Sequence, residues 1–146
     1  MIARGHTILL VEDNDDDVEL TVHAFRKSQV DSHIVVAHDG EEALNYLFGP
    51  PPSDSEDREL PAVMLLDLKL PGISGLDVLR RVRGTDQTRR MPVVILTTSD
   101  DENDIIDGYN LGVNSYIQKP VDFRDFSGVV DQLGLYWLTV NTPSPT

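Results

Sequence analysis

The sequence predicts an α/β fold, a doubly wound parallel sheet with helices on both faces. Three observations predict it. Short apolar runs recur along the chain at Ile8–Val11, Ile34–Ala37, Val63–Leu66 and Pro92–Thr97, with a shorter fifth run at Ser115–Gln118. The segments between them carry apolar residues at helical spacing, and turn residues bound each run. Strands alternating with helices over a short chain give a parallel sheet covered on both faces. An unbroken apolar run reads as a strand buried on both of its own faces.

The first run ends in Glu12-Asp13-Asn14-Asp15-Asp16-Asp17. Asn14 or Asp15 is placed to cap the helix that follows, and carboxylates in a first turn suit the helix dipole. Val18, Val22 and Phe25 give that helix its apolar stripe. After the second run, Asp39-Gly40 is a turn, and Ala43, Leu44 and Leu47 open a second helix that Gly49 and the prolines after it stop. Residues 49–61 are too polar and proline-rich to bury much and read as a surface loop insertion. The third run, Val63-Met64-Leu65-Leu66, leads straight into Asp67, and Pro71-Gly72 follows. Asp67 is therefore expected at the carboxyl end of a central strand, the edge at which open parallel sheets bind ligands.

Gly75 to Arg83 is expected as a third helix, with Arg80, Arg81, Arg83, Arg89 and Arg90 as a solvated basic patch. Asp101 to Asn110 reads as a short polar fourth helix that Gly112 ends. Asp122 caps a long last helix in which Phe126, Val129, Val130, Leu133, Trp137 and Val140 would face the sheet. Leu135, Tyr136 and Leu138 would then point elsewhere, more apolar surface than one face can bury, which suggests a partner. One domain over 1–140 and a flexible tail at 141–146 complete the expected organisation.

The 146 residues include no cysteine, so neither disulfides nor thiolate chemistry is available. No apolar run approaches the ~20 residues that span a bilayer, and the N-terminus lacks the apolar core of a signal peptide. A cytoplasmic location is the simple expectation. A net charge of −13 disfavours nucleic acid, which demands lysines and arginines for its phosphates. It equally disfavours an anionic membrane surface.

The expected strand ends collect Glu12 and Asp13, Asp67, Thr97 and Lys119 in one crevice. Carboxylates converging there repel unless a positive charge holds them. A hard divalent ion such as Mg2+ does so with oxygen ligands, waters and a phosphate. Lys119 adds an ammonium and Thr97 a hydroxyl donor, both suited to phosphate oxygens. That set is sufficient for moving a phosphoryl group onto the Asp67 carboxylate. Taken singly, Asp67 reads as well as a helix cap and Asp13 as a first-turn acid. Jointly, they would leave four strand ends presenting the required groups without a reason.

In this order and spacing, the pieces Leu10-Val11-Glu12-Asp13-Asn14, Leu66-Asp67-Leu68-Lys69-Leu70-Pro71-Gly72, Thr97-Thr98-Ser99, Gly108 to Tyr116 and Lys119-Pro120 resemble a response-regulator receiver domain. The resemblance covers residues 8 to about 138. It implies a flavodoxin-like five-stranded sheet in the order 2-1-3-4-5. It implies Asp67 as phosphoacceptor, Mg2+ held by Glu12, Asp13, Asp67 and the backbone carbonyl of Lys69, and phosphate binding by Thr97, Thr98 and Lys119. It further implies a Thr97–Tyr116 switch and a cis bond at Lys119-Pro120. The chain ending and the proline-rich loop look like the stand-alone regulators paired with bacterial and cyanobacterial phytochromes. That resemblance implies a sensor histidine kinase partner, such as a bacteriophytochrome, and a homodimer through helix 4, strand 5 and helix 5, with Tyr136, Trp137 and Leu138 on its face. Such a protein is a regulator and not an enzyme, beyond removing its own phosphoryl group.

The alternatives differ in specific residues. A phosphorelay intermediate or a chemotaxis-type regulator of another kinase would use the same site. A haloacid-dehalogenase-type enzyme needs an aspartate two residues after the nucleophile, where Lys69 stands. A flavodoxin-like FMN binder needs a hydroxyl- and glycine-rich loop after strand one to wrap a phosphate, where this chain has acids. A pseudo-receiver would lack part of the set, and every part is here.

Overall fold

The computed structural model describes residues 7–27, 31–50 and 60–145. The elements are β1 (Thr7–Val11), α1 (Asp15–Lys27), β2 (His33–Ala37), α2 (Gly40–Phe48), β3 (Val63–Leu66), α3 (Gly75–Arg83), β4 (Val93–Thr97), α4 (Glu102–Asn110), β5 (Ser115–Gln118) and α5 (Phe123–Leu135). One π-helical stretch, Tyr136–Val140, prolongs α5. All five strands are parallel, in the order β2-β1-β3-β4-β5. Most of the surface loop expected at 49–61 lies outside the described residues.

The apolar runs alternate their side chains between two cores. Leu9, Val11, Met64, Leu66, Val93 and Ile95 meet Ala43, Leu47, Val78, Leu79 and Val82 on the α2–α3 side. Ile8, Leu10, Val63, Leu65, Val94 and Leu96 meet Ala24, Phe25, Phe126, Val130 and Leu133 on the α1–α5 side. Every residue of β3 and β4 is buried, as a sheet covered on both faces requires.

The caps behave as their chemistry dictates. Asn14 accepts the Asp17 N–H and so caps α1. Asp39, Ser74, Asp101 and Asp122 cap the other helices through their side-chain oxygens. Gly112, at φ +91°, takes the left-handed turn that ends α4. Arg83 departs from the expected solvated patch. Its guanidinium donates to the carbonyls of Gly112 and Met91 and to Asn114 Oδ1 at 2.7–2.9 Å, tying the end of α3 to the starts of β4 and β5. Val140 also departs from expectation, being exposed instead of facing the sheet. The wider i→i+5 turns of the π-stretch, closed by Asn141 N–H on the Tyr136 carbonyl, change the helical phase after Leu135.

Gly75 fixes the approach of α3 to the loop after β3. A Cβ there would meet the Asp67 carbonyl oxygen at 2.2 Å and the Leu68 Cα at 2.7 Å. Both are backbone atoms with nowhere to go. Gly75→Ala is therefore expected to lower stability to urea by about 1–3 kcal/mol through overpacking, outweighing the gain of up to about 1 kcal/mol in helix propensity. Unchanged or raised stability would show that this approach tolerates a methyl group.

Candidate functional site

The site is made by running each strand ladder one residue past its strand. Glu12 N–H donates to the Ala37 carbonyl at 3.0 Å, Asp67 N–H to Val11 at 3.0 Å and Lys119 N–H to Thr97 at 2.6 Å. Glu12, Asp67, Thr97 and Lys119 consequently lie side by side at the carboxyl edge, and all four are buried.

Asp67 has a separate partner set on each oxygen. Its Oδ1 accepts the Thr97 hydroxyl at 2.8 Å and the Lys69 backbone N–H at 3.1 Å. Its Oδ2 accepts the Lys119 ammonium at 3.0 Å. Lys119 also donates to Glu12 Oε1 and, at 2.9 Å, to Asp17 Oδ2. An ammonium has three protons, so Lys119 is saturated by carboxylates.

These contacts split the acids electrostatically. Burial alone would raise the Asp67 carboxyl, but the charge and hydrogen bond of Lys119, with the Lys69 N–H and Thr97 hydroxyl, hold it below its ordinary value. Glu12 moves the opposite way. Burial, reinforced by the charge of Asp67 and opposed by Lys119, pushes it up to about 7. Burial would lower Lys119, but hydrogen bonds to Glu12 and Asp17 and the Asp67 charge raise it. Asp67 is thus a buried carboxylate kept ionised, with donors already aimed at both of its oxygens, which is how a carboxylate nucleophile and its charge-stabilising groups are arranged.

Glu12, Asp13 and Asp67 each offer a carboxylate oxygen, and these lie within 4.8 Å of one another. With Asp17, the site holds four carboxylates and one ammonium. The remaining negative charge and the all-oxygen donor set fit a hard divalent cation, and the exposed Asp13 leaves it a way in.

The other expected residues fall as follows. The Lys69 side chain and Thr98 are exposed. Tyr116 is half-buried, and its hydroxyl donates to the Ser99 carbonyl at 2.9 Å. Pro120 requires correction: the described residues contain no cis peptide bond, and Lys119–Pro120 is trans. Trans is the isomer an X–Pro bond prefers by about 0.5–1 kcal/mol, and it still allows Lys119 N–H to bond the Thr97 carbonyl. Tyr136 is exposed, while Trp137 and Leu138 pack partly against the α1–α5 core. Leu138 therefore does not point away from the sheet as its spacing suggested. The π-stretch that turns Val140 out turns Leu138 in.

Two residues escaped the sequence. Asp17 looks there like one more first-turn acid beside Asp15 and Asp16, and only the fold shows it reaching Lys119. Ser99 is buried beneath Thr97. Its N–H lies 3.4 Å from Thr97 Oγ1, and its hydroxyl donates to Asp104 of α4 at 2.6 Å. Its place two residues past Thr97 was the available signal.

Residues 8–131 match the family model of the response regulator receiver domain. The probable methanogenesis regulatory protein FilR2 of Methanothrix harundinacea is 39% identical over 94% of this chain and 88% of its own length. The response regulator Rcp1 of Synechocystis is 36% identical over 94% of this chain and 92% of its own. The crystal structure of its Mn2+-bound form superposes with a TM-score of 0.85 over 95% of this chain and 99% of that one. The phosphorylated cyanobacterial phytochrome response regulator RcpA superposes with a TM-score of 0.87 at 36% identity, over 97% of this chain and 99% of that one.

Removing the Lys119 ammonium would leave Glu12 and Asp67 facing each other in a buried site. Lys119→Met is expected to cost about 3–5 kcal/mol, the range for breaking one side of a buried ion pair, read as an earlier urea midpoint. An unchanged midpoint would mean that Lys119 does not sustain the buried acids.

Proposed function

The chain belongs to the response regulator receiver family, and on that premise we propose that it accepts a phosphoryl group from a sensor histidine kinase onto Asp67 and signals by protein contact. The observation that carries this reading is the division of Asp67's oxygens between Thr97 and Lys119. An Asp67 oxygen attacks phosphorus, the bond from phosphorus to the kinase histidine nitrogen breaks, and the nitrogen leaves with the electron pair. Thr97 and Lys119 then donate to the phosphoryl oxygens. Asp13, Asp67 and Glu12, with the Lys69 carbonyl, would hold Mg2+, which would supply positive charge against the phosphoryl oxygens. Thr98 is a further donor at the exposed rim. Loss of the phosphoryl group by hydrolysis at the same site resets the protein.

The relationship to Rcp1 and RcpA, the latter a phytochrome response regulator, supports a phytochrome-type kinase as the donor. Thr97 and Tyr116 meet at Ser99, through its N–H and its carbonyl. This supports a switch in which a shift of Thr97 toward the phosphoryl group is felt by Tyr116 and α4. The exposed apolar side chains Ile106 and Tyr109 of α4, with Leu135 and Tyr136 at the end of α5, support a homodimer through α4, β5 and α5.

Asp67→Asn is expected to abolish transfer of radiolabelled phosphate from a phosphorylated kinase, and label retained by that variant would refute the assignment. Tyr136→Glu is expected to leave labelling intact and shift sedimentation velocity toward the monomer. An unchanged profile in a protein that does self-associate would place the interface elsewhere.

A further inference from the structure

Lys119 is saturated by three carboxylates that differ in what else they must do. Asp67 is the acceptor, and Glu12 belongs to the group that can share a cation with Asp13 and Asp67. Asp17 has neither duty. It is not in that cation group, and it comes from α1, not from a strand end. Its backbone is pinned on both sides: its N–H donates to Asn14 Oδ1 at 3.0 Å, and its carbonyl accepts the Thr21 hydroxyl at 2.7 Å. Thr21 is itself buried. The neighbouring acids Asp15 and Asp16 are exposed, whereas Asp17 is partly buried with Oδ2 at 2.9 Å from Lys119 Nζ.

We propose that Asp17 is a positioning residue for phosphoryl transfer, anchoring the Lys119 ammonium over Asp67 so that its orientation survives when Glu12 is drawn toward a cation. This rests on the reading of Asp67 as phosphoacceptor. A flexible four-carbon side chain carries no orientation of its own. With Glu12 turned to the cation, Lys119 would keep only Asp67, and an acyl phosphate has one carboxylate oxygen esterified. Asp17 then supplies the fixed second point. It holds one ammonium proton on α1 and leaves the others for phosphoryl oxygens. Thr97, on the opposite side of Asp67, needs no such anchor because its hydroxyl projects from the rigid end of β4.

The probe is beryllofluoride, added as beryllium and fluoride with Mg2+ in excess and followed by calorimetry on the full chain. Asp17→Ala is expected to weaken binding about tenfold, as loss of one hydrogen bond to a charged group would. Asp17→Asn, which keeps an oxygen acceptor in the same place, is expected to fall between Asp17→Ala and the unchanged protein. Melting temperatures of the ligand-free variants separate this from a structural role, because a purely structural Asp17 would lower them and leave affinity intact. Unchanged affinity in Asp17→Ala, with or without a lowered melting temperature, would overturn the proposal alone. An unsubstituted protein that takes up no beryllofluoride would overturn the phosphoacceptor reading and this proposal together.

Discussion

Lys119 puts one ammonium group against Glu12, Asp17 and Asp67 in a place where its side chain is almost wholly removed from water. Taking an ion out of water costs several kcal/mol, and the cost is recovered only when partners are close and well aimed. Much of the architecture can be read as meeting that demand. The register of β1, β3, β4 and β5 sets Glu12 and Asp67 level, with Thr97 one residue and Lys119 two residues further along the same edge. The Asn14 cap sets the first turn of α1 so that Asp17 reaches the same point. The close packing of α3 at Gly75 holds the loop after β3, whose Lys69 N–H steadies Asp67.

The cluster is stable as an arrangement and unbalanced as a charge distribution. One ammonium cannot neutralise four carboxylates, and Glu12 and Asp67 are displaced in opposite directions, Glu12 upward by burial and Asp67, despite its burial, downward by Lys119. A divalent cation would offset most of the remaining charge, whereas a phosphoryl group on Asp67 would add negative charge. On the proposed function, this is why the site needs the cation in order to accept the phosphoryl group. Ser99 extends the consequences outward, since it touches Thr97, Asp104 on α4 and Tyr116 on β5. On the proposed switch, a displacement of Thr97 is passed on through those contacts.

The fold was legible because its signals are local. The bounds of β3 and the end of α4 follow from an unbroken apolar run and a Gly112 stop, which act within a few residues. The strand-end residues were legible for a related reason: in a parallel sheet the end of a run is also a place in space. What stayed hidden depends on contacts between distant parts of the chain. Asp17 and its two neighbours are alike in sequence, and only the meeting of the first turn of α1 with Lys119 distinguishes them. Arg83 reads as one arginine of a patch until α3 is set against β4 and β5. The phase change after Leu135 has no residue signature of its own, so Leu138 and Val140 were assigned by a period that no longer applied. The Lys119–Pro120 bond was expected cis by resemblance, and the local geometry accommodates trans.

The most direct test of Asp67 as the reactive carboxylate is chemical mapping of the phosphorylated protein. An aspartyl phosphate is an acyl phosphate, which borohydride reduces to homoserine, and peptide mass spectrometry locates the altered residue. The predicted result is homoserine at position 67 alone, after phosphorylation by a kinase or a small phosphoryl donor. Homoserine at position 13 or 17, or at no position in a protein that carries phosphate, would contradict it.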